Sequence, residues 1–180
     1  GSEMCIRDSR NAIKSNMDRL NMSYESPAES NPFDDYLKEG FKSVPGWVLA
    51  DLPEFMRLLK DVPWNQQGGV TEIGVYMGRF FLLLRSMLDK PELSFGIDIF
   101  EDQGLNLDYS GTDKARQEIF ANYVHKFDAY KGEGVQVVKG DSTSSATQAL
   151  LSKSIPEGSM RYFSIDGGHT KVHTLNDLSL

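Results

Sequence analysis

The stretch "VTEIGVYMGRF", Val70–Phe80, constrains the fold most, because it begins as a buried strand and ends as a helix with two glycines at the join. Glycine adopts backbone dihedrals that other residues avoid, and it leaves space where a side chain would stand. Gly74 and Gly78 therefore predict a sharp turn at which the main chain comes close to another group.

Strand-like and helical segments alternate over the rest of the chain. The predicted strands are Gly69–Val75, Ser94–Phe100, Val135–Lys139 and Arg161–Asp166. The predicted helices are Arg79–Leu88, Thr112–Phe127, Ser144–Lys153 and one that begins at Lys171. Strands joined by helical crossovers form a parallel sheet with helices on both faces, so we predict an α/β fold of the doubly wound, Rossmann-like class.

Two amphipathic helices are predicted before the sheet, in Pro32–Ser43 and from Asp51 to Lys60. They form an N-terminal helical extension over residues 32–66, and the Rossmann-like core follows over residues 67–180. We therefore predict one domain that spans residues 32–180.

The first 31 residues are set apart from this domain. Gly1-Ser2 resembles a tag-cleavage scar, and Met4–Ser9 resembles the translation of a sequencing adapter. Residues 10–31 are polar and lack periodicity, so we interpret them as a flexible arm.

Composition excludes some partners. The 180 residues carry a formal net charge of −7, which argues against a nucleic-acid backbone as partner because phosphate binding needs a positive surface. No apolar run reaches membrane-spanning length. Cys5 is the single cysteine and cannot form an internal disulfide, so we expect a cytoplasmic protein.

Each predicted strand ends at or near a carboxylate: Glu72, Asp98, Asp141 and Asp166. In an open parallel sheet, ligands bind outside the carboxyl ends of the strands. A dinucleotide site usually has Gly-x-Gly-x-x-Gly, but Val75 stands at the second glycine position, which disfavours an NAD-dependent oxidoreductase. Gly78 also lacks the following Lys-Ser/Thr of a phosphate-binding loop, so the pattern favours a nucleoside-like ligand.

An adenosine pocket accounts for these acids. Asp98 would accept both ribose hydroxyls, while Asp141 and Ser142 would contact the adenine edge. Structural roles are the alternatives for two of them: Glu72 can orient the glycine turn, and Asp98 can be a turn residue. We expect Asp141-Ser142 to cap the following helix as well as to contact adenine.

Four stretches resemble, in order, the motifs of class I S-adenosylmethionine-dependent methyltransferases: EIGVYMG, FGIDIF, VVKGDS and YFSIDGGHT. The last resembles the Ile-Asp-Gly-x-His stretch of a subgroup that includes metal-dependent O-methyltransferases of small hydroxylated compounds. The resemblance covers about residues 44–180. It implies that Glu72, Gly74 and Gly78 line the methionine and ribose portions of S-adenosylmethionine, with Asp98 on the ribose diol and Asp141 and Ser142 near adenine.

The resemblance also implies catalytic residues after the fourth strand. Asp166 stands where the metal-dependent enzymes place one carboxylate ligand, with Mg²⁺ as the expected metal. His169 is a candidate base or acceptor contact, with a place at the helix start as the alternative. Trp47 is hypothesised to close over the cofactor or the acceptor.

The resembling enzymes continue into a fifth strand whose acids complete the metal site, whereas this sequence stops at Leu180. Either the chain is a truncated fragment, which we favour, or another protomer supplies the missing part. We expect self-association through the exposed edge of the fourth strand, or marginal stability. A second function therefore stays open: a module that binds S-adenosylmethionine or S-adenosylhomocysteine without turnover.

Overall fold

The structure is a computed structural model that describes residues 31–61, 67–102, 104 and 115–179. The tag-like residues and nearly all of the predicted arm lie outside the described residues, as does the predicted helix start at Thr112.

The described residues alternate between helices and strands in the predicted order. Two helices come first, α1 (Pro32–Glu39) and α2 (Leu52–Asp61). The sheet region then runs β1 (Gly69–Ile73), α3 (Arg79–Arg85), β2 (Ser94–Asp98), α4 (Arg116–Phe127), β3 (Val135–Lys139), α5 (Ser145–Ser154), β4 (Met160–Ile165) and α6 (Lys171–Asp177).

The four described strands form one parallel sheet in the order β3-β2-β1-β4. The register aligns their carboxyl ends: Ile73 of β1 pairs with Ile97 of β2 and with Ile165 of β4, and Asp98 of β2 pairs with Lys139 of β3. The predicted Rossmann-like α/β fold is therefore confirmed. β4 lies at one end of this described order, and its self-association stays a prediction.

β1, β2 and α3 end earlier than the sequence predicts, and the two strands among them end near a residue with positive φ. β1 ends at Ile73 because Gly74 has φ +88°, which leaves the extended region. β2 ends at Asp98 because Phe100 has φ +49° and donates its N–H to the Asp98 carboxylate. α3 ends at Arg85, three residues before the predicted Leu88.

Apolar side chains pack on both faces of the sheet. The larger cluster joins β1 to the apolar α3 and to α1, and its members include Val70, Phe81 and Tyr36. The smaller cluster lies on the other face, where Ile97 of β2 packs with Leu151 of α5. Successive strand residues point to opposite faces, so a strand such as β1, which is buried throughout, contributes to both clusters.

A buried ion pair joins the end of α3 to the residue after α4. The guanidinium of Arg85 donates to both carboxylate oxygens of Asp128, at 3.2 and 2.9 Å, and both side chains are fully buried. Arg85 also donates to the carbonyls of Glu92 and Glu133 and to the hydroxyl of Ser94. These bonds compensate for the desolvation of the two charges, and they orient α3 on the sheet.

Gly74 brings the ends of β1 and β4 into main-chain contact. A Cβ atom built on Gly74 would lie 2.0 Å from the carbonyl oxygen of Asp166, which no real structure permits. Gly74 also donates its N–H to the Ile97 carbonyl at 2.8 Å, and Asp166 donates its N–H to the Ile73 carbonyl at 2.8 Å. Only glycine satisfies both the positive φ and this contact.

We expect Gly74→Ala to lower the free energy of unfolding by about 3 kcal/mol or more, because the methyl group adds a main-chain collision to the cost of a positive φ. Gly158→Ala is the matched control: Gly158 has φ +72°, but a Cβ there would meet nothing within 4 Å. The control should lose about 1 kcal/mol in urea denaturation. Equal losses in the two variants would contradict the close contact.

Candidate functional site

The sheet register places the predicted acids along one edge, at the carboxyl ends of the strands. Glu72 lies within β1, Asp98 ends β2, and Asp141 and Asp166 follow β3 and β4. The four acids thus lie along one edge, and Glu72, Asp98 and Asp166 are close enough to interact electrostatically.

Asp98 is bonded to the glycine turn itself. Its Oδ2 accepts the N–H of Tyr76 at 2.8 Å, and its Oδ1 accepts the N–H of Phe100 at 2.7 Å. Burial raises the pKa of Asp98, and these N–H groups and the nearby Arg116 oppose the rise without cancelling it. Each carboxylate oxygen keeps a second lone pair, so Asp98 can still accept further hydroxyl donors.

Glu72 is the most deeply buried acid of the edge. It is 2% exposed, and its Oε2 has no hydrogen-bond partner among the described residues. Burial raises the pKa of Glu72 well above its ordinary value of 4.5, and the carboxylates of Asp166 and Asp98 raise it further, against the N–H of Phe81. A buried acceptor without a partner is costly, so this oxygen is suited to a polar or cationic ligand group.

Asp166 and His169 meet at the open side of the edge. His169 Nε2 lies 3.5 Å from Asp166 Oδ1, and both side chains are about two-thirds exposed. The helix that follows begins with Thr170 as its N-cap, whose hydroxyl accepts from His173 N. His169 therefore precedes the cap and does not serve as it, and its functional role stays a prediction.

Asp141 and Ser142 follow β3 in a tight turn. Asp141 Oδ1 accepts both the N–H and the hydroxyl of Thr143, each at 2.8 Å, and Ser142 is buried. The N-cap of α5 is Ser144, whose hydroxyl accepts from Thr147 N. The prediction that Asp141-Ser142 caps this helix is therefore wrong, because the cap lies two residues beyond Ser142.

The described residues do not fit the expected magnesium site. Mg²⁺ needs several oxygen ligands in octahedral geometry. Within the described ranges, no group of three His, Cys, Asp or Glu side chains is placed to hold a metal ion. Asp166, the predicted ligand, pairs with His169 and is largely exposed. The assignment of Asp166 as a metal ligand is thus not supported here.

Protein atoms occupy the space that the two glycines leave. The missing side chain of Gly74 makes room for the Asp166 carbonyl, and that of Gly78 makes room for the ring of Phe120 at 2.8 Å. Gly78 also has φ +93° at the start of α3. The group that the main chain approaches at these glycines is therefore the protein, and a ligand would meet the residues between them.

Sequence reasoning did not find two residues beside Asp98. The guanidinium of Arg116 lies 5.1 Å from the ring centre of Tyr76, and Arg116 is 2% exposed. Tyr76 has φ +50° in the middle of the turn. Arg116 is the first residue of α4, and a charged residue at a helix start gives no local sign of burial in the sequence.

A family model described as "Methyltransferase domain" matches residues 71–180, which is more than half of the chain. The chain belongs to this methyltransferase family. A comparison with curated proteins found no match.

The methyltransferase domain implies S-adenosylmethionine as the methyl donor, as the four motifs predict. The described residues fit this donor: Glu72 offers a buried acceptor oxygen without a partner, and Asp98 offers lone pairs beside the turn. The family match does not specify the acceptor, so the O-methyltransferase subgroup stays a prediction.

A cavity of about 350 Å³ lies away from this edge of the methyltransferase domain. Leu93 and Phe95, near the amino end of β2, line it together with Leu150 and Ser154 of α5. Ligands of parallel sheets bind at the carboxyl ends, so this cavity is not the candidate site.

None of the helices in the described part of the chain is long and apolar enough to cross a membrane. The cytoplasmic location stays a prediction.

We expect the stability of the domain to fall as pH rises above 4.5, because the unfolded chain then ionises Glu72 while the folded state, whose pKa is raised, keeps the proton. Glu72→Gln cannot titrate. Its free energy of unfolding should therefore rise relative to the wild type, by up to about 1.4 kcal/mol per pH unit, until the folded-state pKa is reached.

Urea denaturation at a series of pH values measures this difference. Glu101→Gln is a control of opposite sign, because the N–H of Gln117 and the ammonium of Lys139 lower the pKa of Glu101. The stabilisation that Glu101 provides should be present above pH 4.5 and disappear as pH falls through its lowered folded-state pKa. A pH-independent gap between Glu72→Gln and the wild type would refute the burial of an uncompensated Glu72 carboxyl.

Proposed function

We propose that the domain binds S-adenosylmethionine at the carboxyl edge of its sheet and transfers the methyl group to a hydroxyl of a small-molecule acceptor. One observation carries the proposal: Glu72, Asp98 and Asp166 converge on the glycine turn, and the buried Oε2 of Glu72 has no protein partner among the described residues.

Each acid has a role that its position supports. Asp98, braced by the N–H groups of Tyr76 and Phe100, would accept the ribose hydroxyls. Glu72 would face the cationic methionine portion, because a buried carboxyl in this place is stabilised by a positive charge. The turn that holds Asp141, with Ser142 behind it, would lie near adenine.

Methyl transfer is an in-line displacement in which the acceptor oxygen bonds to the methyl carbon as the carbon–sulfur bond breaks. S-adenosylmethionine supplies the electrophilic methyl group when it is bound. His169 would accept at Nδ1 the proton that the acceptor hydroxyl loses. Its Nε2 faces the carboxylate of Asp166, which would stabilise the resulting imidazolium. Both side chains are exposed, so the stabilisation by Asp166 is modest. We derive no step through a metal ion.

Binding without turnover is the second candidate function. The open, exposed position of Asp166 and His169 favours it, because positioning supplies much of the catalysis in methyl transfer and an exposed pair positions an acceptor weakly.

We expect the wild type to bind S-adenosylhomocysteine in calorimetry and to bind adenosine at least 10-fold more tightly than 2′,3′-dideoxyadenosine, because the hydroxyls would bond a carboxylate. Asp98→Ala should abolish this preference. A purely structural role of Asp98 would weaken both ligands equally. Asp102→Ala is the matched control, an exposed acid four residues on that pairs with Lys139.

Binding of NAD in place of S-adenosylhomocysteine would reject the proposal. A preference for adenosine that survives in Asp98→Ala would reject the role of Asp98 alone.

We expect His169→Gln to reduce methyl transfer to a panel of catechols and sugars by about 10²-fold or more, since a positioned base contributes 10²–10⁴ in rate. The affinity for S-adenosylhomocysteine should not change. His125→Gln, on an exposed position of α4, is the matched control and should keep the wild-type rate. Tight cofactor binding without transfer to any panel member would favour the binding module over the enzyme.

A further inference from the structure

Arg79, at the start of α3, forms hydrogen bonds with the turn before α2. Arg79 donates from Nε to the carbonyl of Val44 at 2.5 Å and from Nη1 to the carbonyl of Gly46 at 2.6 Å. A Cβ on Gly46 would lie 2.9 Å from Cβ of Arg79, so the glycine permits this close approach. Two bonds from one planar guanidinium hold the turn in a defined orientation.

The residue after Gly46 in this turn is an exposed tryptophan, Trp47. Trp47 is 76% exposed, although its ring lies 5.0 Å from the ring of Tyr76 at an interplanar angle of 35°. A tryptophan side chain offers 150–250 Å² of contact area and is seldom left in water. A large aromatic surface on a rigid main chain is already organised for binding, because little conformational freedom remains to be lost.

Tyr76 connects this ring to the candidate site. Its N–H is bonded to Asp98, and it lies between Gly74 and Gly78 in the turn that the proposed cofactor would contact. A small molecule at the carboxyl edge would therefore have the Trp47 and Tyr76 rings beside it. This location favours a small ligand over a protein partner, which would need a surface well beyond one ring.

We propose that Trp47 is an acceptor-binding residue, and that its indole face stacks on a ring that carries the hydroxyl to be methylated. The acceptor class is then a ring with a flat apolar face, either a phenolic ring or a sugar ring. This inference rests on the proposed function and adds the part of the site that selects the acceptor.

Ligand-observed NMR titrations of the full chain, saturated with S-adenosylhomocysteine, test the proposal. The probes are catechol, methyl β-glucopyranoside and, as a hydroxyl compound without a ring, glycerol. We expect saturable binding of one ring compound and none of glycerol. Trp47→Ala should weaken the ring compound at least 10-fold and Trp47→Phe by less, while the affinity for S-adenosylhomocysteine stays unchanged.

Leu49→Ala is the matched control, because Leu49 is 80% exposed on the same segment and has no part in the proposal. It should bind the ring compound as the wild type does. The proposal is overturned if neither ring compound binds, if Trp47→Ala binds it normally, or if Trp47→Ala instead dissociates a dimer in sedimentation velocity. Failure of S-adenosylhomocysteine to bind the wild type would refute the proposed function itself.

Discussion

The main-chain contact between Gly74 and Asp166 is the constraint on which the candidate site depends. It holds the ends of β1 and β4 closer than any side chain permits, so the residues on either side of it become neighbours. Glu72 precedes the contact by two residues, and His169 follows it by three. A wider separation would leave the carboxylates of these strands too far apart to act on one ligand.

The site buries the acidic side chain of Glu72 and partly buries that of Asp98, which costs folding free energy. Burial raises the pKa of both Glu72 and Asp98. The two carboxyl groups differ in how many hydrogen bonds they receive from the described residues. Asp98 receives two main-chain N–H bonds and lies near Arg116, whereas one oxygen of Glu72 receives no bond from the described residues. An uncompensated acid of this kind is typical of a binding site, where the ligand supplies the missing partner.

The N-terminal helical extension is bonded to the start of α3 through Arg79. Arg79 follows the glycine turn directly, at the place where a phosphate-binding loop would carry lysine. Here its side chain bonds the Val44 and Gly46 carbonyls, and its own carbonyl accepts the hydroxyl of Tyr36 at 2.9 Å. The helices before the sheet are thereby coupled to the turn, and the extension presents Trp47 beside it.

The order of strands and helices, the parallel sheet and the edge on which the acids gather were determined by the sequence alone, because periodicity and glycine placement are local properties. The tertiary structure decided which group fills the space at Gly74 and how Asp98 and Arg116 are partnered. Those outcomes depend on contacts between residues far apart in the chain, such as the bond between Tyr76 and Asp98, which are separated by 22 positions. No local pattern records such contacts, so only the packed fold could reveal them.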